Sequence, residues 1–159
     1  MLMKIPEGNF IKKSFAIYGL GKTGSSVKKY LKKNKVKYFL WDDNKIIRKK
    51  NRILSKNIFL NQLSNVDYIV LSPGIKIEKT IFKKELIKNK NKIITDLDLL
   101  YLRNKKIKSI VVTGTNGKST TCKLINHILT KKGVPNVLGG NIGTPVLDIN
   151  FSKKKNIYN

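Results

Sequence analysis

The sequence predicts an α/β protein: a parallel-sheet unit followed by the start of a second strand–loop–helix unit. Three observations carry that expectation. An apolar run leads into a glycine-rich turn and then a helix-spaced segment twice, at residues 14–24 and again at residues 107–121. Between them, residues 66–71 are apolar without interruption, as in a parallel strand buried on both faces by helices. Strand-like runs alternate with helix-like ones through most of the chain, the order that produces βαβ units.

In order, residues 14–18 form the first strand, ending in Gly19-Leu20-Gly21-Lys22-Thr23-Gly24, a G-x-G-x-x-G turn. The helix that follows runs to about Asn34, with Val27, Tyr30 and Leu31 at i, i+3, i+4 and lysines on the other face. A second strand at residues 36–41 ends in Asp42 and Asp43, about 20 residues beyond the glycines, where an acid can accept hydrogen bonds from a ribose or base. This context predicts a Rossmann-like nucleotide or phosphosugar site. Residues 44–63 have no clear period, with residues 58–60 read as a short strand. The strand at 66–71 stops at Ser72-Pro73-Gly74-Ile75, a loop expected to face the same crevice as the first glycine turn. A helix near 80–89 and a strand at 92–95 complete this unit. Thr95 or Asp96 caps a helix in Asp96-Leu97-Asp98-Leu99-Leu100, and residues 103–106 read as a linker.

The second unit opens with a buried strand at 107–112 and the turn Thr113-Gly114-Thr115-Asn116-Gly117-Lys118-Ser119-Thr120. Glycines let backbone N–H groups converge on an anion, the helix N-terminus adds partial positive charge, and a lysine closes the cage. The loop is a compact variant of G-x-x-x-x-G-K-[ST], since Val112 stands where the first glycine belongs. It is expected to bind a nucleoside triphosphate, with Lys118 on the β/γ phosphates, the Ser119 hydroxyl on Mg²⁺ and Thr120 as a further donor. The following helix carries Leu124, Ile125, Ile128 and Leu129 as an apolar stripe and stops at Lys132-Gly133 before Pro135. A short strand at 136–138 then leads to Gly139-Gly140-Asn141-Ile142-Gly143-Thr144-Pro145, which offers the Asn141 amide near the phosphate loop.

Composition narrows the partners. The 159 residues hold 34 Lys and Arg against 9 Asp and Glu, a net charge of +25. Only three of the basic residues are arginines, and the lysines are spread over every polar face, as codon bias in an AT-rich genome produces. The densest run, 45–52, has no interleaved aromatics for base stacking, so no specific nucleic-acid role is expected. No apolar stretch approaches the roughly 20 residues of a bilayer span. The start shows no signal-peptide pattern, so a cytoplasmic, membrane-free and monomeric protein is expected. The lone Cys122 is read as a half-buried packing residue, and the single histidine, His127, as a surface or packing residue rather than a metal ligand.

Taken in order, GLGKTG, SPGI, DLDLL, TGTNGKST and GGNIGTP resemble the Mur ligase family, in particular its D-glutamate-adding branch, over residues 14–148. The resemblance implies a UDP-substrate-binding domain over 1–95 and the N-terminal part of a P-loop ATPase domain over 96–159, with the C-terminal domain absent. It implies that Lys22 and Thr23 meet the substrate's phosphates, Asp42 and Asp43 its uridine end, and Ser72 and Gly74 the same pocket. Asn141 would contact the substrate across a cleft, while Gly114, Thr115, Asn116, Gly117, Lys118, Ser119 and Thr120 bind ATP and Mg²⁺. The implied partners are UDP-N-acetylmuramoyl-L-alanine and D-glutamate, joined through an acyl phosphate. The chain ends at Asn159, with Ile157 and Tyr158 like a strand cut short, so an inactive N-terminal portion with an unpaired, aggregation-prone edge is expected. Three alternatives stay open: an NAD-binding oxidoreductase, which leaves TGTNGKST unexplained; another Mur-type or folylpolyglutamate ligase; and a basic polyanion-binding module.

Overall fold

The computed structural model describes residues 10–53, 55–103, 107–140 and 143–150. Four strands form one all-parallel sheet in the order β2-β1-β3-β4: β1 Ser14–Tyr18, β2 Lys37–Trp41, β3 Tyr68–Leu71 and β4 Ile93–Ile94. The chain leaves β1, builds β2 on one side, then returns to place β3 on the other. The order therefore reverses between β1 and β3, and ligands of open α/β sheets gather outside the strand ends at such a point.

The period-2 alternation of strand side chains explains both faces of the sheet. Phe15 and Ile17 of β1, with Tyr68 and Val70 of β3, pack with Val27 and Leu31 of α1 (Lys22–Lys33) and with Leu99 and Leu100 of α5 (Asp96–Arg103). Ala16, Tyr18 and Ile69 point the other way, onto Phe59 and Leu63 of α3 (Lys56–Asn65) and Leu86 of α4 (Lys83–Lys88). On this second face Tyr18, Trp41, Phe59 and Phe82 form an aromatic cluster, with ring centroids 5.4 to 6.1 Å apart. Such pairs add to the burial of apolar area, which is worth about 25 cal/mol per Å².

Two helices occupy most of the stretch read as having no clear period, at residues 45–50 and 56–65. Asn44 caps α2 (Lys45–Lys50), its side chain accepting from the N–H groups of Ile46 and Ile47, and Ser55 caps α3 by accepting from the Ile58 N–H. The expected strand at 58–60 is therefore corrected: it lies inside α3, where Phe59 and Leu63 share one face at i, i+4. The helix expected at 80–89 is confined to α4. At α5, Thr95 and Asp98 cap reciprocally: the Thr95 N–H and hydroxyl donate to Asp98 Oδ2 at 2.7 and 2.8 Å, and the Asp98 N–H donates back to Thr95 Oγ1 at 3.3 Å.

In the second unit the helix forms and the strands do not. α6 (Lys118–Lys131) ends at Gly133, whose φ of +69° suits the left-handed stop. Residues 107–112 are not a strand, and Ile110 and Val111 are 66% and 62% exposed. The 136–138 strand is likewise absent, leaving one isolated bridge between Gly139 and Thr144. The asymmetry is physical: a helix satisfies its backbone internally, whereas a strand requires a neighbouring strand, and among the described residues the one sheet holds β1 to β4 alone. The apolar stripe of α6 is correspondingly open, with Leu124 and Ile128 exposed. Asn141, residues 104–106 of the expected linker, and Ile157 with Tyr158 lie outside the described residues.

Residues 145–149 fold back onto the first unit. Val146, Leu147 and Ile149 join the core beside α1 and α5, and Lys29 Nζ lies 3.1 Å from Asp148 Oδ1. At the opposite, N-terminal edge of the sheet, Asp67 holds β1 beside β3. It accepts from the Ser14 N–H and hydroxyl, each at 2.9 Å, and from Lys13 Nζ at 2.9 Å.

Two outcomes follow from this packing. Phe82→Ala empties the centre of the aromatic cluster and should cost about 3–5 kcal/mol in urea unfolding. For Asp67, burial would raise the carboxyl pKa, but hydrogen bonds from Lys13 and Ser14 outweigh it and hold it below its ordinary value of 3.8. A depressed pKa contributes stability above the unfolded-state value and loses it as pH falls through the folded one. The stability gap between the wild-type chain and Asp67→Asn should therefore be constant at neutral pH and narrow below about pH 4.

Candidate functional site

Three loops meet at the carboxyl ends of β1, β2 and β3, and backbone hydrogen bonds set their register. The Gly19 N–H donates to the Trp41 carbonyl at 2.8 Å, and the Ser72 N–H to the Tyr18 carbonyl at 2.9 Å. The Ser72 hydroxyl then donates to the Gly19 carbonyl at 2.8 Å, joining the loop after β3 to the glycine turn after β1. Gly19 adopts a φ of +89°, open to glycine at little cost. Gly24 is needed for proximity: a Cβ there would lie 1.8 Å from the Gly19 carbonyl oxygen. Gly21 differs from both, since a Cβ there would meet nothing within 4 Å. It is the N-cap of α1 and offers no side-chain cap to the first-turn N–H groups, beside the exposed Lys22 and half-buried Thr23. The arrangement suits an anion, most simply a phosphate.

The acidic end of the site is tightly organised. Asp42 is buried, and its carboxylate receives the Leu20 N–H at 2.7 Å and the Asn44 N–H at 2.8 Å. Asp43 receives the Tyr18 hydroxyl at 2.7 Å and the Trp41 indole N–H at 3.1 Å. Burial first, and the Asp43 carboxylate second, push the Tyr18 phenol well above its ordinary value, so it remains a donor. An ionised carboxylate has room for about four hydrogen bonds, and each acid has two from the protein. The structure thus brings together Lys22, Thr23, Asp42, Asp43 and Ser72, with Gly74 exposed in the adjoining loop. Sequence reading missed Arg48 as a member of this edge. Its Nη1 donates to the carbonyls of Asp42 and Asp43 at 2.7 and 2.8 Å, and its guanidinium lies 4.6 Å from the Trp41 ring centroid. Spacing alone gives no signal for such a contact.

The second loop has its own geometry. Gly114 and Gly117 have φ of +142° and +75°, and Gly117 starts α6 in the left-handed region without a side-chain cap. Lys118 folds back over the turn, its ammonium donating to the Gly114 carbonyl and, at 2.9 Å, to the Thr115 carbonyl. Thr115, Asn116, Ser119 and Thr120 are exposed. The result is a glycine turn at an uncapped helix start with a cation at its rim, an arrangement that suits a phosphate, and the hydroxyl of Ser119 is a hard oxygen of the kind that suits Mg²⁺. Cys122 is half-buried with a free thiol, and His127 is exposed. Among the described residues no group of three or more His, Cys, Asp or Glu could hold a metal, and no helix is long and apolar enough to cross a membrane.

The family model described as "Mur ligase MurD-like, N-terminal domain" matches residues 13–95, and that described as "Mur ligase middle domain" matches residues 112–159. Among curated proteins, the UDP-N-acetylmuramoylalanine–D-glutamate ligase of Rickettsia bellii is 42% identical over 148 residues, 89% of this chain and 32% of its own. Proteins of the same name from Rickettsia prowazekii and Wolbachia pipientis wMel are 40% and 39% identical, covering 90% and 84% of this chain and 33% and 28% of theirs. The chain spans about a third of the length of the curated relatives it matches.

Two of the three glycines of the first turn, Gly21 and Gly24, separate structure from binding. Gly24→Ala forces the Gly19 carbonyl aside and should lower stability by about 1–3 kcal/mol. Gly21→Ala should stay within about 0.5 kcal/mol of wild type in the same urea titration.

Proposed function

The chain belongs to the Mur ligase family, and from that premise we propose that it serves ATP-dependent addition of D-glutamate to UDP-N-acetylmuramoyl-L-alanine in peptidoglycan-precursor synthesis. The observation that carries this reading is the convergence of the open Gly21 turn, Asp42 and Ser72 at the sheet's switch point, in the same chain as a second, lysine-rimmed phosphate cradle. Residues 1–95 are the UDP-substrate unit and residues 96–159 the beginning of the ATP-binding unit.

Within that reading, Lys22, Thr23 and the first-turn N–H groups of α1 hold the substrate's diphosphate. Asp42 and Asp43 face its uridine end through the acceptor sites their internal donors leave, while Ser72 and Gly74 line the pocket and Asn141 is a further substrate contact. Gly114, Thr115, Asn116, Gly117 and Thr120 cradle the ATP phosphates, and Lys118 exchanges its loop carbonyls for the β and γ oxygens. Ser119 ligates Mg²⁺, which neutralises phosphate charge when bound. The substrate carboxylate attacks the γ phosphorus and ADP leaves. The amine of D-glutamate then attacks the acyl phosphate and displaces phosphate. Two anions meet in the first step, so the cation at the cradle's rim has a direct electrostatic role.

Calorimetry with UDP-N-acetylmuramoyl-L-alanine tests this directly. Saturable binding is expected, weakened at least tenfold in Gly21→Val, whose Cβ enters the open space at the turn with no protein atom within 4 Å. Lys118→Ala should leave that binding intact while weakening ATP. A folded chain that binds neither the UDP-sugar nor UMP would sink the proposal.

A further inference from the structure

Arg48 is one of three arginines among 34 basic residues. In so lysine-rich a chain, a guanidinium marks a place where an ammonium would not serve equally. Its neighbours on α2, Lys45, Lys49 and Lys50, are exposed, whereas Arg48 is half-buried. One nitrogen, Nη1, donates to two successive carbonyls, Asp42 at 2.7 Å and Asp43 at 2.8 Å, and the guanidinium lies over the Trp41 ring. A planar, delocalised cation can satisfy both demands at once; a lysine ammonium has no flat face to stack.

What Arg48 holds is the turn that carries the acidic edge of the first site. The side chains of that turn are fixed from the sheet side: Asp42 by the N–H groups of Leu20 and Asn44, Asp43 by Tyr18 and Trp41. Its carbonyls are fixed from the helix side, by Arg48. Trp41 closes the circuit, donating its indole N–H to Asp43 while its ring takes the guanidinium. Without Arg48 the two carbonyls lose these donors, and the turn whose Asp42 carboxylate meets Leu20, the residue between the first two glycines, is held from the sheet side alone.

We propose that Arg48 is a positioning residue for the uridine end of the nucleotide, keeping the Asp42–Asp43 turn in register with the glycine loop. This rests on the reading of the first site as a uridine-nucleotide site. It separates the two halves of that site: the phosphate end, built from the N-terminus of α1 and the open space at Gly21, does not depend on Arg48, whereas the sugar–base end does.

The test titrates the wild-type chain, Arg48→Met and Arg48→Lys with UMP and, separately, with inorganic pyrophosphate, following backbone amides by NMR and thermal unfolding in parallel. In folded Arg48→Met, UMP binding should weaken at least tenfold and pyrophosphate binding change less than twofold. The Leu20 and Asn44 amides should shift in the free variant while those of Gly114 and Gly117 stay in place. Arg48→Lys, which restores a donor but not the planar fork, should recover part of the UMP affinity, and it carries the comparison should Arg48→Met fail to fold. Unchanged UMP affinity in a folded variant overturns the inference and leaves the uridine-site reading standing. Equal loss of both ligands also overturns it, since that is a general structural effect. A folded wild-type chain that binds no UMP overturns the uridine-site reading and the inference with it.

Discussion

The first unit depends on one close approach, that of α1 to the turn that precedes it. Gly24 lies so near the Gly19 carbonyl that only a hydrogen fits between them. That contact allows α1 to start directly at the strand end, which aims its N–H groups at the crevice instead of past it. The same Gly19 carbonyl accepts from Ser72, so the loop after β3 takes its position from the residue that receives α1. On the other side, Leu20 donates to Asp42 and brings in the loop after β2. Three loops are therefore indexed to two adjacent residues of one turn. The aromatic cluster under Tyr18 and Trp41 keeps the strand ends themselves from moving.

Legibility in the sequence followed the range of the forces involved. Local patterns were readable: β1 and its glycine turn, the period of α1, the Thr95 cap and the start of α6 all reflect interactions within a few residues. The uninterrupted apolar run around β3 also sufficed, because burial on both faces needs no partner to be named. Failures came where the partner is distant or where several local signals compete. Residues 58–60 are β-prone by composition, yet the Ser55 cap and the Phe59–Leu63 spacing make them helix. Residues 107–112 read as a buried strand because composition reports what a segment would do with neighbours, not whether it has them. At the site, the glycines and acids were found by spacing, while Arg48, acting across a turn on carbonyls, leaves no mark in spacing at all.

The charge balance explains how the few acids are used. With 34 basic residues available, ion pairs could be plentiful, yet among the described residues only Lys13–Asp67 and Lys29–Asp148 form. Asp42, Asp43 and Asp98 instead take N–H and O–H donors at turns and helix starts. Surface ion pairs contribute little in water, whereas a carboxylate that accepts from buried or fixed donors holds a backbone in place. The acids thus act as connectors, and most of the lysines are solvated charge.

The same division is seen where residues 145–149 meet the first unit. The glycine-rich segment that contains Asn141 lies just before residues 145–149, and these pack Val146, Leu147 and Ile149 into the same core that Val27 and Leu31 of α1 occupy. Lys29 and Asp148 tie the segment to α1 at its surface. The helix that starts at the first glycine turn is thus also the helix that anchors residues 145–149. Packing of this kind resists small displacements because cores are dense, so residues 145–149 take their position from α1. Apolar packing, with one exposed ion pair at its edge, is therefore what holds residues 145–149 to the first unit.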